Sequence, residues 1–175
     1  MSKLTDSIAK EIFPPGKRVF AIFDGASVPE LMDALERWQP KLECLYPGKL
    51  EPDMAEVAPY LVELVPGSPV AEWSLTGWGQ HWGVFVHSEL SALKLSQHFY
   101  RFIEVISPEN KRLLFRYYDP RVLRSYLPTC TGEDLTRFFG PVQALLAEGE
   151  KPGQLLHFTL EGGRLKTDIK QFKEE

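Results

Sequence analysis

The hydrophobic positions change period several times along this chain, and each change marks an element. Residues 18–24 (RVFAIFD) form a near-continuous apolar run, the pattern of a strand buried on both faces. Asp24-Gly25 ends it with a turn signal. From Leu31 the period lengthens, and Leu31, Met32, Leu35 and Trp38 make one apolar stripe at helical spacing. Ser27-Val28-Pro29-Glu30 ahead of it reads as a capping box, and Pro40 stops the helix. Strands are expected at 42–46 and 60–64, a short helix at 69–75, and a strand at 84–87. Residues 77–83, with three glycines and two tryptophans, read as a loop.

Ser88 reads as the cap of a helix carrying Leu90, Leu93, Leu95, Phe99 and Phe102. Strands at 103–106 and 112–118 flank Pro108-Glu109-Asn110 as a hairpin. Asp119-Pro120 starts a helix that Pro128 ends, since Asp caps and Pro is favoured in the first turn. Thr131-Gly132-Glu133-Asp134 opens another, which Gly140-Pro141 closes. Strands at 142–147 and 155–160 follow. Residues 1–17 read as a lead-in closed by Pro14-Pro15-Gly16, and 166–175 as a charged tail that frays. Alternation early and hairpins late imply an α/β fold, a mixed β-sheet with flanking helices in a single compact domain spanning 1–175.

Composition narrows the classes. A chain of 175 residues buries ~70% of its unfolded surface and needs no staple. Its 43% hydrophobic and 25% charged content excludes wholesale disorder. A net charge of -4 lacks the basic footprint of a nucleic-acid partner. Two cysteines, Cys44 and Cys130, make neither a disulfide framework nor a zinc site. No apolar run approaches bilayer length and no leader pattern opens the chain, so a cytoplasmic protein without a membrane partner is expected.

Catalytic motifs are sparse. The chain has no G-x-S-x-G elbow and no phosphate-cradling glycine motif. His81, His87, His98 and His157 are not in zinc-ligand spacing, and His87 reads as a hydrogen-bonded structural residue. No cofactor or metal is expected. The densest polar cluster is residues 115–123 (FRYYDPRVL). As a strand it would put Arg116 and Tyr118 on one face and Phe115 and Tyr117 on the other. Arg116, Asp119, Pro120 and Arg121 then read as a structural motif in which Asp119 caps a helix and pairs with an arginine. The functional reading of the same residues is that the arginines offer donor forks to a partner.

That run, within LLFRYYDPRVL, closely resembles the hallmark of a bacterial family of type VI secretion effector adaptors, or effector chaperones. Other segments resemble the family pattern in the same order: FAIFDGA from Phe20, LYPG from Leu45, APYLV from Ala58, WGVFVHS from Trp82, the helix ending near His98 and Arg101, and FFGPV from Phe138. The resemblance spans residues 19–142, leaving 143–175 as short strands and the charged tail. It implies a non-enzymatic adaptor that binds a toxic effector in the cytoplasm and helps load it onto the valine-glycine-repeat spike protein. Many relatives carry a longer, variable C-terminal region. Only a short stretch follows Val142 here, so recognition is expected on the core itself.

Aromatic and arginine anchors dominate protein-binding surfaces. Trp78, flanked by glycines, is the exposed candidate, while Trp82 is expected to fill core under the loop. Tyr117, Tyr118 and Arg121 form a second candidate surface, and the free edge of the 155–160 strand a third. The alternative is a small hydrolase-like enzyme or immunity-type inhibitor with its site at Arg116, Asp119 and Arg121.

Overall fold

The structure, a computed structural model, describes residues 3–173. Helix α1 (Lys3–Ile12) precedes strand β1 (Val19–Asp24), followed by α2 (Leu31–Trp38), β2 (Leu42–Cys44), α3 (Pro52–Val57), β3 (Pro59–Leu64), α4 (Pro69–Thr76) and β4 (Gly83–His87). Then come α5 (Ala92–Tyr100), β5 (Glu104–Ile106), β6 (Arg112–Leu114), α6 (Pro120–Tyr126) with a 3-10 turn (Leu127–Thr129), α7 (Gly132–Phe139), β7 (Ala144–Glu148), β8 (Gln154–Glu161) and β9 (Arg164–Gln171).

Seven strands form one sheet in the order β2-β3-β1-β4-β7-β8-β9, and β5 and β6 pair separately as a hairpin. Every pairing is antiparallel, one step further from a parallel sheet than the expected hairpins alone imply. Helices cover both faces. Phe20 and Ile22 point into a core shared with α5, α6 and α7, while Val19, Ala21 and Phe23 point into a second core shared with α1, α2 and α4. The apolar run of β1 follows from this placement, because a strand buried on both faces has no polar side. The expected α/β fold of one compact domain is present.

Several local expectations change. The lead-in contains α1, which buries Ile8 and Ile12. Ser27 does not cap α2; its hydroxyl donates to Asp24 Oδ2 at 3.0 Å, and Glu30 occupies the cap position without a side-chain bond. Met32 is exposed, and Ala34 joins Leu31 and Leu35 on the buried side of α2. The cap of α5 is Ser91, not Ser88, which instead donates to the Pro141 carbonyl at 3.0 Å. Helix α3 lies in a stretch that carries no apolar stripe, and it buries no residue. Of the expected fraying tail, residues 166–171 lie in β9, which pairs with β8 over its whole length, and residues 174–175 lie outside the described residues. The 155–160 strand is therefore interior to the sheet, and its expected free edge does not exist.

Candidate functional site

One end of the sheet gathers segments far apart in the chain. β1 finishes there at Asp24, β4 starts there at Gly83 opposite Phe23, and β7 finishes there at Glu148. The Asp24 N–H donates to the Trp82 carbonyl at 2.9 Å, tying the first strand to the tryptophan loop. Gly83 is obligatory at this junction, because a Cβ would collide with the Ile22 carbonyl.

The FRYYDPR run turns beneath that end. β6 stops at Leu114; the Phe115 N–H donates to the Ile103 carbonyl at 2.7 Å, and the Arg116 carbonyl then accepts from the Asp119 N–H at 3.0 Å in a turn. The expected strand through Tyr118, with its alternating faces, is absent. Instead Tyr117 and Tyr118 are both buried, each 1% exposed. Tyr117 stacks on Phe99 at 5.6 Å and donates its hydroxyl to the Phe99 carbonyl at 3.1 Å. Burial pushes both phenols well above their ordinary range. Neither ring offers surface to a partner, so the two tyrosines are corrected from binding anchors to core.

The charged residues pair in an alternating cluster. Arg116 bonds and ion-pairs with Asp24 across the fold. Asp24, 1% exposed, also accepts from the Ala26 N–H at 3.2 Å and from Ser27. Asp119 caps α6 by accepting the Arg121 N–H at 2.9 Å, and it takes the Arg121 guanidinium through Nε at 3.0 Å and Nη2 at 2.7 Å. Burial pulls the Asp119 carboxyl up, but the Arg121 hydrogen bonds and the two arginine charges outweigh it and hold it below its ordinary value. Arg116 and Arg121 keep 42% and 53% of their side chains in water. The structural motif expected of Arg116, Asp119, Pro120 and Arg121 is thus present, with Pro120 in the first turn of α6.

Beside this cluster, Glu148 is buried against the tryptophan loop. Its two oxygens each accept the His81 N–H at 3.3 Å, and the His81 ring stands 3.0 Å away. Burial pushes this carboxyl up, while the His81 charge and the loop N–H groups pull it back. Arg124 donates to the Glu148 and Gly149 carbonyls, so α6 also grips this strand end. A cavity of about 310 Å³ opens here, lined by Trp78, His81, Glu148, Lys151 and Gln154 among others. Trp78 is half-buried and stacks on Phe85 at 6.4 Å. Trp82 packs on Trp73 at 4.9 Å and fills the space above Gly77, where a Cβ would meet its ring.

Two features escape a sequence reading. The Asp24–Arg116 pair joins positions 92 apart, and no local pattern announces such a partnership. The second is an apolar arm. Of the eleven large hydrophobic side chains exposed among the described residues, Val105, Ile106, Leu113 and Leu114 fall on the β5–β6 hairpin. The signal that marks the arm is Glu104-Val105-Ile106 and Arg112-Leu113-Leu114, which carry adjacent apolar residues instead of one polar side per strand.

No group of three or more metal-ligating side chains occurs among the described residues, and no helix among them is long and apolar enough to cross a membrane. No curated protein and no solved structure matches the chain. A family model does, over residues 19–137, from the first residue of β1 to near the end of α7. That span holds Asp24, the tryptophan loop, the apolar arm and the Asp-Pro-Arg corner, and the chain belongs to the family described as the domain of unknown function DUF4123.

Proposed function

We propose that this protein is a non-enzymatic, cytoplasmic adaptor that holds a type VI secretion effector and helps load it onto the valine-glycine-repeat spike protein. The reading starts from the ordered resemblance between residues 19 and 142 and draws on the DUF4123 membership. The observation that carries it is the apolar arm. Ile106 is 70% exposed, and Leu113 and Leu114 are about half exposed, on a two-stranded hairpin outside the main sheet. Clustered exposed apolar side chains mark protein-binding surfaces in soluble chains. The enzyme reading, with its site at Arg116, Asp119 and Arg121, is disfavoured because both oxygens of Asp24 and of Asp119 already accept donors from the protein. Arg121, exposed and with Nη1 outside its bonds to Asp119, remains a candidate at the rim, as does Trp78.

The test is co-purification with the effector encoded beside the adaptor. A complex that survives high salt is expected, because apolar contacts are not screened. The double substitution Ile106→Glu and Leu113→Glu is expected to abolish capture while the thermal midpoint stays within a few degrees of wild type, since neither side chain is buried. Full capture by that variant would remove the arm from the interface, and dissolution of the wild-type complex by salt would point to a charged surface instead.

A further inference from the structure

Helix α1 docks on the sheet through its apolar side and through polar groups that include the buried imidazole of His87. It buries Ile8 and Ile12 in the second core, with Leu4, Ala9 and Phe13 partly buried around them. The carbonyl of its last residue, Ile12, lies 2.8 Å from His87 Nε2, and His87 is itself buried on β4. The ring of His157 on β8 stands 6.3 Å from that of His87. Glu11 of the same helix is ion-paired with Lys170 of β9. Between α1 and β1 the chain passes through Pro14-Pro15-Gly16, where Gly16 has φ +75° and nothing within 4 Å of the position a Cβ would take. A turn standing in open space can re-aim the helix without disturbing β1.

We infer that α1 is an acid-released strap: protonation of His87 and His157 undocks the helix about the Pro14–Gly16 turn and uncovers the apolar sheet face beneath it, while the sheet stays folded. The docking geometry alone supplies this release, whatever partner the protein binds. Neutral His87 satisfies the Ile12 carbonyl as an Nε2–H donor. A proton added to the ring strengthens its bond to the Ile12 carbonyl, but burial, together with the repulsion of His157 and Lys17, outweighs that gain. His157 faces Asp168 and Glu11, which attract a cation, and Lys166 and Lys170, which repel it.

Burial, the largest cause for each, holds both imidazoles below their ordinary 6.5. An undocked helix returns them toward that value. Opening therefore takes up protons below pH 6.5, and each group raises the opening constant by up to about tenfold per pH unit.

Amide hydrogen exchange, corrected for the intrinsic pH dependence, reads this directly. Between about pH 7.5 and about pH 5.5 the protection of α1 is expected to fall by roughly tenfold or more while β1 and α5 keep theirs. His87→Gln retains a donor for the Ile12 carbonyl and cannot titrate, so most of the pH dependence should vanish. His157→Gln, at a part-exposed position, should remove a smaller share. Loss of protection in α1 and β1 together, or an α1 signal that ignores pH, would overturn the strap. If His87→Gln does not fold, His157→Gln decides the matter: a wild-type slope in that variant also overturns it.

Discussion

Two stretches that adjoin in the chain meet opposite fates. Leu113 and Leu114, on the hairpin, are about half exposed. Tyr117 and Tyr118, three and four residues beyond Leu114, are sealed in the core. Residue type alone would reverse the assignment, since tyrosine tolerates water better than leucine. The turn at Arg116–Asp119 makes the difference, because it swings the chain under the sheet end and lets Asp24 and Arg121 close over it. The polar corner therefore builds the molecule, and the apolar arm stays in solvent. A densely polar motif in sequence is no guide to where a partner sits when its charges are consumed internally.

The largest effect that could break this contrast is at Tyr117. Tyr117→Ala is expected to lower unfolding free energy by about 3–5 kcal/mol, through lost packing and a cavity, in urea titration. Leu113→Ala should change it by about 0.5 kcal/mol or less. Comparable losses in the two would mean that the arm is as much core as the corner.

Next comes Asp24→Ala, which strands Arg116, the Ala26 N–H and Ser27; about 3 kcal/mol is expected, the low end for a buried pair because Arg116 is partly in water. Asp119→Ala removes a cap and a more exposed arginine partner, for a loss of about 1–3 kcal/mol. A larger loss at Asp119 than at Asp24 would move the keystone of the corner from β1 to α6.

The smallest effect is graded by pH. Burial holds His87, His98 and His157 below their ordinary 6.5, so the stability they contribute is complete above pH 6.5 and declines as pH falls below it. The decline for each histidine stays below the limit of about 1.4 kcal/mol per pH unit. Denaturant midpoints measured across that range check it. Leu113→Ala should follow the wild-type curve, since these histidines lie in the body and not in the arm.

Where burial is two-sided, the sequence reading of the fold succeeds. β1, β3, β4 and β7 carry apolar residues that neither loop nor amphipathic helix would present, and all four lie in the sheet interior or beside it. The Asp119-Pro120 and Thr131 helix starts are also legible, because capping is a local bond between a side chain and an amide two or three residues on. The failures are equally physical. β9 reads Arg-Leu-Lys-Thr-Asp-Ile-Lys-Gln, a polar pattern suited to an edge strand exposed along nearly its whole length, and so it resembled a tail. Ser27 and Ser88 looked like caps but were drawn to Asp24 and the Pro141 carbonyl, partners supplied by tertiary structure. Of the corner, Asp119–Arg121 was legible because its members are neighbours. Asp24–Arg116 and His81–Glu148 were not, because long-range pairs leave no spacing to read.

The strand order also governs how the chain can be made. β1 lies between β3 and β4, so the first four strands can assemble as soon as residue 87 is available. β4 then presents an open ladder until β7 arrives to pair Leu146 with Phe85, long after in synthesis. Such delayed, non-local closure slows folding and leaves an adhesive edge in the nascent chain. During that interval the half-built sheet meets the rest of the cell before its own last strands, with β9 and its charged residues at alternate positions arriving last to end the ladder.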